Sequence, residues 1–238
     1  MTSGSDQGAS ALDTVIVPVH RAGWPFIGAF ALAAVLLGLV WTPLFWIGLV
    51  ATAWCVFFFR DPPRVTPLGA GLVVSPADGR VQKIAEVVPP EELELGSDAL
   101  TRISIFLNVF DVHINRVPVD GRVIAEAYRP GKFVNAALDK ASEENERQLV
   151  GLETAAGQRL GLIQIAGLVA RRIVCELEAG QSVRAGERYG LIRFGSRVDV
   201  FLPPGAAPLV VVGQRVLGGE TVLADLDSQE PARAGEVR

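Results

Sequence analysis

Residues 189–203 read YGLIRFGSRVDVFLP. Two runs rich in β-branched and aromatic residues flank a Gly-Ser at 195–196, and each is the right length for one strand. A Gly-Ser inside such a stretch reads in two ways. It is a β-bulge or tight bend, or it is a peptide bond set up for attack by the Ser196 hydroxyl. In the second case Gly195 has no Cβ to block the approach and tolerates unusual backbone angles. On these residues alone the bend is favoured. Outward in both directions the texture repeats. Short runs at 71–74, 101–109, 121–128, 160–166, 172–177, 189–194, 197–202 and 208–212 are rich in Val, Ile, Leu and Phe and alternate with Gly, Pro and Asp turns. This predicts a mainly β fold, a barrel or sandwich of antiparallel strands. Only 133–148 (FVNAALDKASEENERQ) reads as helix or loop. No G-x-G-x-x-G or P-loop pattern occurs, which disfavours a nucleotide-binding α/β fold.

Two internal echoes refine this expectation. SPADGRV at 75–81 recurs as VPVDGRV at 117–123, and GQSVRAGE at 180–187 recurs as GQRVLGGE at 213–220. Each places a Gly-containing turn before a strand, as in the pseudo-duplicated β-units of lipoyl and biotinyl domains.

Upstream lies a stretch of a different kind. Residues 24–59 read WPFIGAFALAAVLLGLVWTPLFWIGLVATAWCVFFF, and no charged residue occurs between Arg21 and Arg60. One continuous helix of that length would run about 54 Å, too long for a hydrocarbon core of about 30 Å. Thr42-Pro43 splits the run into halves near the lower limit for a span, which predicts a membrane helical hairpin, with a re-entrant segment as the alternative. Arg21 before the run and Arg60 and Arg64 after it put both ends on the cytoplasmic side. The run is too long and starts too late for a cleaved signal peptide. It also explains how a 238-residue chain with a net charge of −4 is 50% hydrophobic, with a mean hydropathy of +0.35. That charge gives no basic field for nucleic acid. Cys55 and Cys175 form no metal-ligand spacing or disulfide framework and read as small buried hydrophobes.

Titratable candidates are few. His20 precedes the apolar stretch. His113 lies in ISIFLNVFDVHINRVPVDG (103–121), just past an apolar strand and among Asn108, Asp111, Asn115 and Arg116. It is the one imidazole placed to act as a base near neutral pH. Asp78 and Asp120 both precede Gly, where turn residues are the plain reading. Local chemistry does not separate them.

Taken as a set, FFFRDPPR (57–64), VVSPADGRV (73–81), ISIFLNVFDVHINRVPVDG (103–121), ASEENER (141–147) and YGLIRFGSRVDVFLP (189–203) resemble the short bacterial form of phosphatidylserine decarboxylase. The resemblance runs from 57 to about 225, in the family's order. It implies a proenzyme in which the Ser196 hydroxyl attacks the Gly195 carbonyl. An N→O acyl shift, β-elimination and loss of ammonia then leave a covalent pyruvoyl group where Ser196 stood. The implied large chain is 1–195 and the small chain 196–238. The implied cofactor is an electron sink as the substrate carboxylate leaves as CO₂, the part that PLP plays elsewhere. By the same resemblance Asp78 is the acidic partner in self-cleavage, which separates it from Asp120, and His113 is the family's motif histidine. Long forms carry a second histidine three residues on, where this chain has Arg116. An arginine is no base at neutral pH but holds a carboxylate or phosphate, so Arg116 is assigned to substrate binding with its neighbour Asn115.

The resulting expectation divides the chain into an N-terminal segment (1–22), a membrane anchor of two short helices (23–60), a β-rich catalytic domain cleaved at 195/196 (61–225) and a polar tail expected to be disordered (226–238). The substrate partner is a membrane phospholipid, the processed chains stay partners, nucleic acid is excluded, and homo-oligomerisation is left open. The location is the inner membrane, with the catalytic domain cytoplasmic. The competing reading is a membrane-tethered lipoyl- or biotinyl-like carrier or adaptor, for which Asp139-Lys140-Ala141 looks like a modification site.

Overall fold

The computed structural model describes residues 17–131, 144–167, 172–193 and 195–236. Most of the segment expected as helix or loop, including Lys140, lies outside them. The chain forms two compact units, Met1–Pro63 and Arg64–Arg238.

In the first unit, α1 (Trp24–Val40) and α2 (Thr42–Phe58) each begin with a proline in the first turn, where its missing N–H costs nothing. Trp41 between them is extended, which breaks the helix and turns the chain. With its leading turn, the first helix covers Arg21–Val40 and is long and apolar enough to cross a membrane; the second is shorter. Both expose large apolar side chains such as Leu39, Val40, Ile47 and Val50. The helices pack through small residues. A Cβ on Gly48 would stand 2.5 Å from the Ala34 Cβ and 2.7 Å from its Cα. Gly48→Leu is therefore expected to cost the hairpin about 1–3 kcal/mol, read as a lower melting temperature of the full chain in detergent. Gly28→Leu is the tolerated control, since a Cβ there meets nothing within 4 Å.

The two ends of the hairpin are tied together. The His20 N–H bonds the Phe59 carbonyl at 2.8 Å, and the Asp61 N–H bonds that of Pro18 at 2.7 Å. His20 is a local cap, its Nδ1 accepting from the Ala22 N–H. Arg60 folds back on its own helix, donating to the Phe57 carbonyl at 2.7 Å with its guanidinium 3.7 Å from the Phe57 ring centroid.

The second unit is mainly β. Its strands are β1 (Leu72–Val74), β2 (Gly79–Val87), β3 (Leu100–Leu107), β4 (Ile114–Arg116), β5 (Gly121–Arg129), β6 (Arg147–Glu153), β7 (Arg159–Ala166), β8 (Ile173–Cys175), β9 (Ser182–Val183), β10 (Arg188–Ile192), β11 (Ser196–Phe201), β12 (Arg215–Val216) and β13 (Val222–Asp225). Eight form one antiparallel sheet in the order β12-β2-β3-β11-β7-β6-β5-β9; β4-β10-β8 form a second, and β1 pairs with β13. The expected barrel is thus an open sheet curled into a half-barrel, with β12 and β9 as its edges. Residues alternate between its faces. Ile103, Ile105, Leu107, Leu160, Leu162, Ala166, Val198 and Val200 face the main core, and Ile163, Ile165 and Phe201 face a smaller one.

Several expectations are corrected. Residues 208–212 form no strand. Pro208 makes a single bridge to Ala224, and the chain then turns at Val211–Gln214. Arg147 and Gln148 open β6 and are not part of a helix. The tail is tied down at two points, where the Leu226 N–H bonds the Gly71 carbonyl at 2.8 Å and the Arg233 N–H bonds that of Pro208 at 3.3 Å. The echoed segments meet each other: β2 pairs with β12 and β5 with β9, at opposite edges of the large sheet. Their backbone bonds repeat, Gly213 N–H to Val81 O at 2.7 Å and Gly180 N–H to Val123 O at 2.8 Å.

Candidate active site

β11 is central in the large sheet, so Ser196 sits between Leu107 of β3 and Ala166 of β7. The strand is anchored on its other face as well. Buried Arg197 and Asp199 form an ion pair at 2.9 Å, with the Arg102 Nε at 3.8 Å from the Asp199 carboxylate. Ser196 is fully buried, and its hydroxyl has no hydrogen-bond partner among the described residues. A buried hydroxyl left this way costs stability, and such exceptions collect at reactive sites. Gly195 just before it has φ +68°. That is the left-handed region, where any side chain would be strained. No Cβ clash enforces the glycine, since one built there meets nothing within 4 Å. The backbone angle is the requirement.

His113 reaches this bond from the other sheet. It immediately precedes β4, and its own carbonyl accepts from the Ile192 N–H. Its Nδ1 lies 3.0 Å from the Asp111 carbonyl, and the Gly195 N–H points at its Nε2 from 3.3 Å. A carbonyl only accepts and a backbone N–H only donates. These partners fix the neutral tautomer with the proton on Nδ1 and the Nε2 lone pair facing the Gly195–Ser196 segment.

Asp78 occupies the turn into β2. One carboxylate oxygen accepts from the Gly218 N–H at 2.8 Å, and the other pairs with Arg64 at 2.6 Å. Burial pushes its carboxyl above the ordinary range, outweighing the lowering by Arg64 and by the Gly218 bond, and nearby Asp111 pushes the same way. Asp120, by contrast, accepts from the exposed Ala185 N–H at 2.7 Å and serves its turn. Arg64, read from sequence as a topology-setting charge, is the ion-pair partner of Asp78. Arg64→Met removes a lowering influence, so the Asp78 carboxyl is expected to titrate higher still. A carboxyl raised on folding contributes stability below its unfolded pKa and loses it as pH rises through the folded value. The variant should therefore lose stability progressively as pH climbs above about 4, which melting curves across pH 4–8 would read.

Asn115 and Arg116 point to opposite faces of β4. Asn115 is fully buried, its Oδ1 accepting from the Gln164 amide at 2.8 Å. The Arg116 guanidinium donates to the Gly186 carbonyl at 2.9 Å, and its stem packs over Gly219, beside the Gly218 that holds Asp78. The fold thus brings His113 to Gly195 and Asn115 to Gln164, and sets Arg116 on the side of Asp78. Sequence reading missed Arg64 as a partner of Asp78, and it missed Gln164. The signal for Gln164 was a lone amide inside the apolar run LGLIQIA.

A buried serine thus follows a left-handed glycine whose own N–H faces the His113 Nε2. The profile of the phosphatidylserine decarboxylase family matches residues 51–224. The chain belongs to the phosphatidylserine decarboxylase family. It is similar to the phosphatidylserine decarboxylase proenzyme of Paramagnetospirillum magneticum, with 61% identity over 221 residues covering 93% of this chain and 92% of that protein. It is also similar to the proenzyme of the same name from Cereibacter sphaeroides, with 55% identity over 227 residues covering 95% and 98%. The family match takes in every strand from β1 to β12 and each residue of the constellation, and the two relatives extend the likeness over nearly the whole chain.

Proposed function

We propose that this chain decarboxylates phosphatidylserine to phosphatidylethanolamine and CO₂, using a pyruvoyl group that it makes by cutting itself between Gly195 and Ser196. The single observation that carries the site assignment is the Gly195 N–H facing the His113 Nε2 beside a buried, unpartnered Ser196 hydroxyl. The Ser196 Oγ attacks the Gly195 carbonyl carbon, and the peptide C–N bond breaks to give an ester. Loss of the Ser196 α-proton breaks the Cβ–O bond and frees Gly195 as a carboxylate. Water then releases ammonia from residue 196. His113 takes the hydroxyl proton, and Asp78, held by Arg64 and Gly218, supplies the acidic partner.

The surroundings fit the group. It stands at the start of a strand paired on both sides, where apolar Leu107 and Ala166 exclude water. When formed, it supplies the electron sink for carboxylate loss. The small chain, 196–238, contributes β11 between β3 and β7, β12 beside β2 and β13 beside β1. Those ladders would hold the two chains together after the cut. Arg116 and Asn115 bind substrate in this reading. The residue 23–60 hairpin, with Trp24, Trp41 and Trp46 exposed near its ends, anchors the enzyme in the inner membrane with the β-domain (61–225) cytoplasmic. The repeated bonding of β2–β12 and β5–β9 supports lipoyl-like pseudo-duplication. Release of labelled CO₂ from carboxyl-labelled phosphatidylserine in detergent micelles tests the substrate assignment. A fully processed protein that releases none overturns it.

A further inference from the structure

The buried amide pair Asn115–Gln164 has hydrogen-bonding capacity left over on the Ser196 side of the sheet. Gln164 stands opposite Val198 on β7, and Ser196 stands opposite Ala166. Gln164 and Ser196 are therefore diagonal neighbours on the same face, with Cα atoms roughly 7–8 Å apart by sheet geometry. Asn115 meets Gln164 from the second sheet, and both side chains are at most 1% exposed. One bond joins them, Gln164 Nε2 to Asn115 Oδ1 at 2.8 Å. The Asn115 Nδ2 and the Gln164 Oε1 have no partner among the described residues. Flipping both amides together swaps which residue keeps which group, but the remainder is the same: one N–H₂ donor and one carbonyl acceptor. Leaving both unmet in an apolar interior is costly.

A donor and an acceptor side by side match the two ends of an amino-acid zwitterion. The donor suits a carboxylate and the acceptor an ammonium. We propose that the Asn115–Gln164 amide pair reads the zwitterionic serine headgroup, and that Gln164 is a positioning and specificity residue for the decarboxylation. This rests on the substrate reading above and adds Gln164 to it. The carboxylate is the group the product lacks. The pair thus favours entry of substrate over retention of product.

The test replaces the amide by a carboxylate. In Gln164→Glu the new side chain accepts from Asn115 Nδ2 once Asn115 flips, and the pair's free –NH₂ is replaced by acceptor oxygens, with the second N–H of Asn115 the one donor left. Substrate carboxylate is then repelled, while the ammonium of the product is not. The expected result is a processed enzyme whose KM for phosphatidylserine rises about tenfold or more. Its inhibition constant for phosphatidylethanolamine is expected to be unchanged or lower. A packing defect would weaken both lipids together. Intact mass reports processing and a melting curve reports the fold. A folded, processed variant whose ratio of the two constants stays within twofold of wild type overturns the proposal. So does a folded variant that fails to cut itself, which would move the pair into maturation. If Gln164→Glu does not accumulate, Asn115→Asp makes the same substitution of charge from the other sheet and carries the same expectations. Turnover of phosphatidylserine by wild-type protein in the same micelles separates failure of this proposal from failure of the substrate reading.

Discussion

A Ser196→Ala chain is expected to accumulate as one uncut 25.4 kDa polypeptide, folded but inert, while the wild-type chain separates under denaturing conditions into residues 1–195 and 196–238. Alanine removes the only atom able to attack the Gly195 carbonyl, yet it fits the same buried site between Leu107 and Ala166. It even relieves an unpartnered buried hydroxyl, so the melting temperature should hold or rise slightly. Decarboxylation should fall on the order of 10⁴-fold or more, because a missing reactive group leaves binding and positioning alone. Intact mass spectrometry decides the matter. The small chain of wild-type protein should lack a free amine at its start, and the variant should show one mass. A variant that still splits at the same bond would sink self-cleavage by Ser196.

Which parts of this were legible in the sequence follows from how local each signal is. β7 is covered on both faces and reads as a nearly unbroken apolar run, while β3 and β11 were legible from the apolar residues that alternate along one face, Ile103, Ile105 and Leu107 in one and Val198 and Val200 in the other. The hairpin was legible because Pro43 interrupts a stretch with no charge at all. β2 is absent from the apolar runs, and only the turn in SPADGRV pointed to a strand there, because Arg80, Lys83 and Glu86 interrupt it where one face meets solvent. β6 was obscured by the polar segment leading into it. The 208–212 run failed for the opposite reason. Its valines look like a strand, but Pro208 and a turn closing at Gly213, with φ +90°, leave Val212 exposed.

The site divides in the same way. Gly195 and Ser196 are adjacent in sequence, and their resemblance-bearing motif singled them out. Arg64 meets Asp78 across fourteen positions, and Asn115 meets Gln164 across forty-nine. No periodicity in one chain encodes such pairings. The second arises only once β4 of one sheet packs on β7 of the other, and the first once the chain before β1 reaches the turn into β2.

His113→Gln should have the other largest effect. Gln preserves much of the volume and can still donate toward the Asp111 carbonyl. What it loses is the basic lone pair that the wild-type tautomer turns toward Gly195. Removing a positioned base typically costs 10²–10⁴-fold, and here the loss falls first on maturation, before any substrate is met. The uncut chain should persist for at least about a hundred times longer than wild type, with an unchanged melting temperature, as followed by intact mass after synthesis. Because Nε2 must be unprotonated to serve, wild-type maturation should also slow as pH falls and the imidazole takes up a proton, and the variant should lack that limb. Maturation of His113→Gln at the wild-type pace, with the acid limb intact, would show that another group removes the Ser196 proton and that His113 only holds the Gly195 backbone in its left-handed turn.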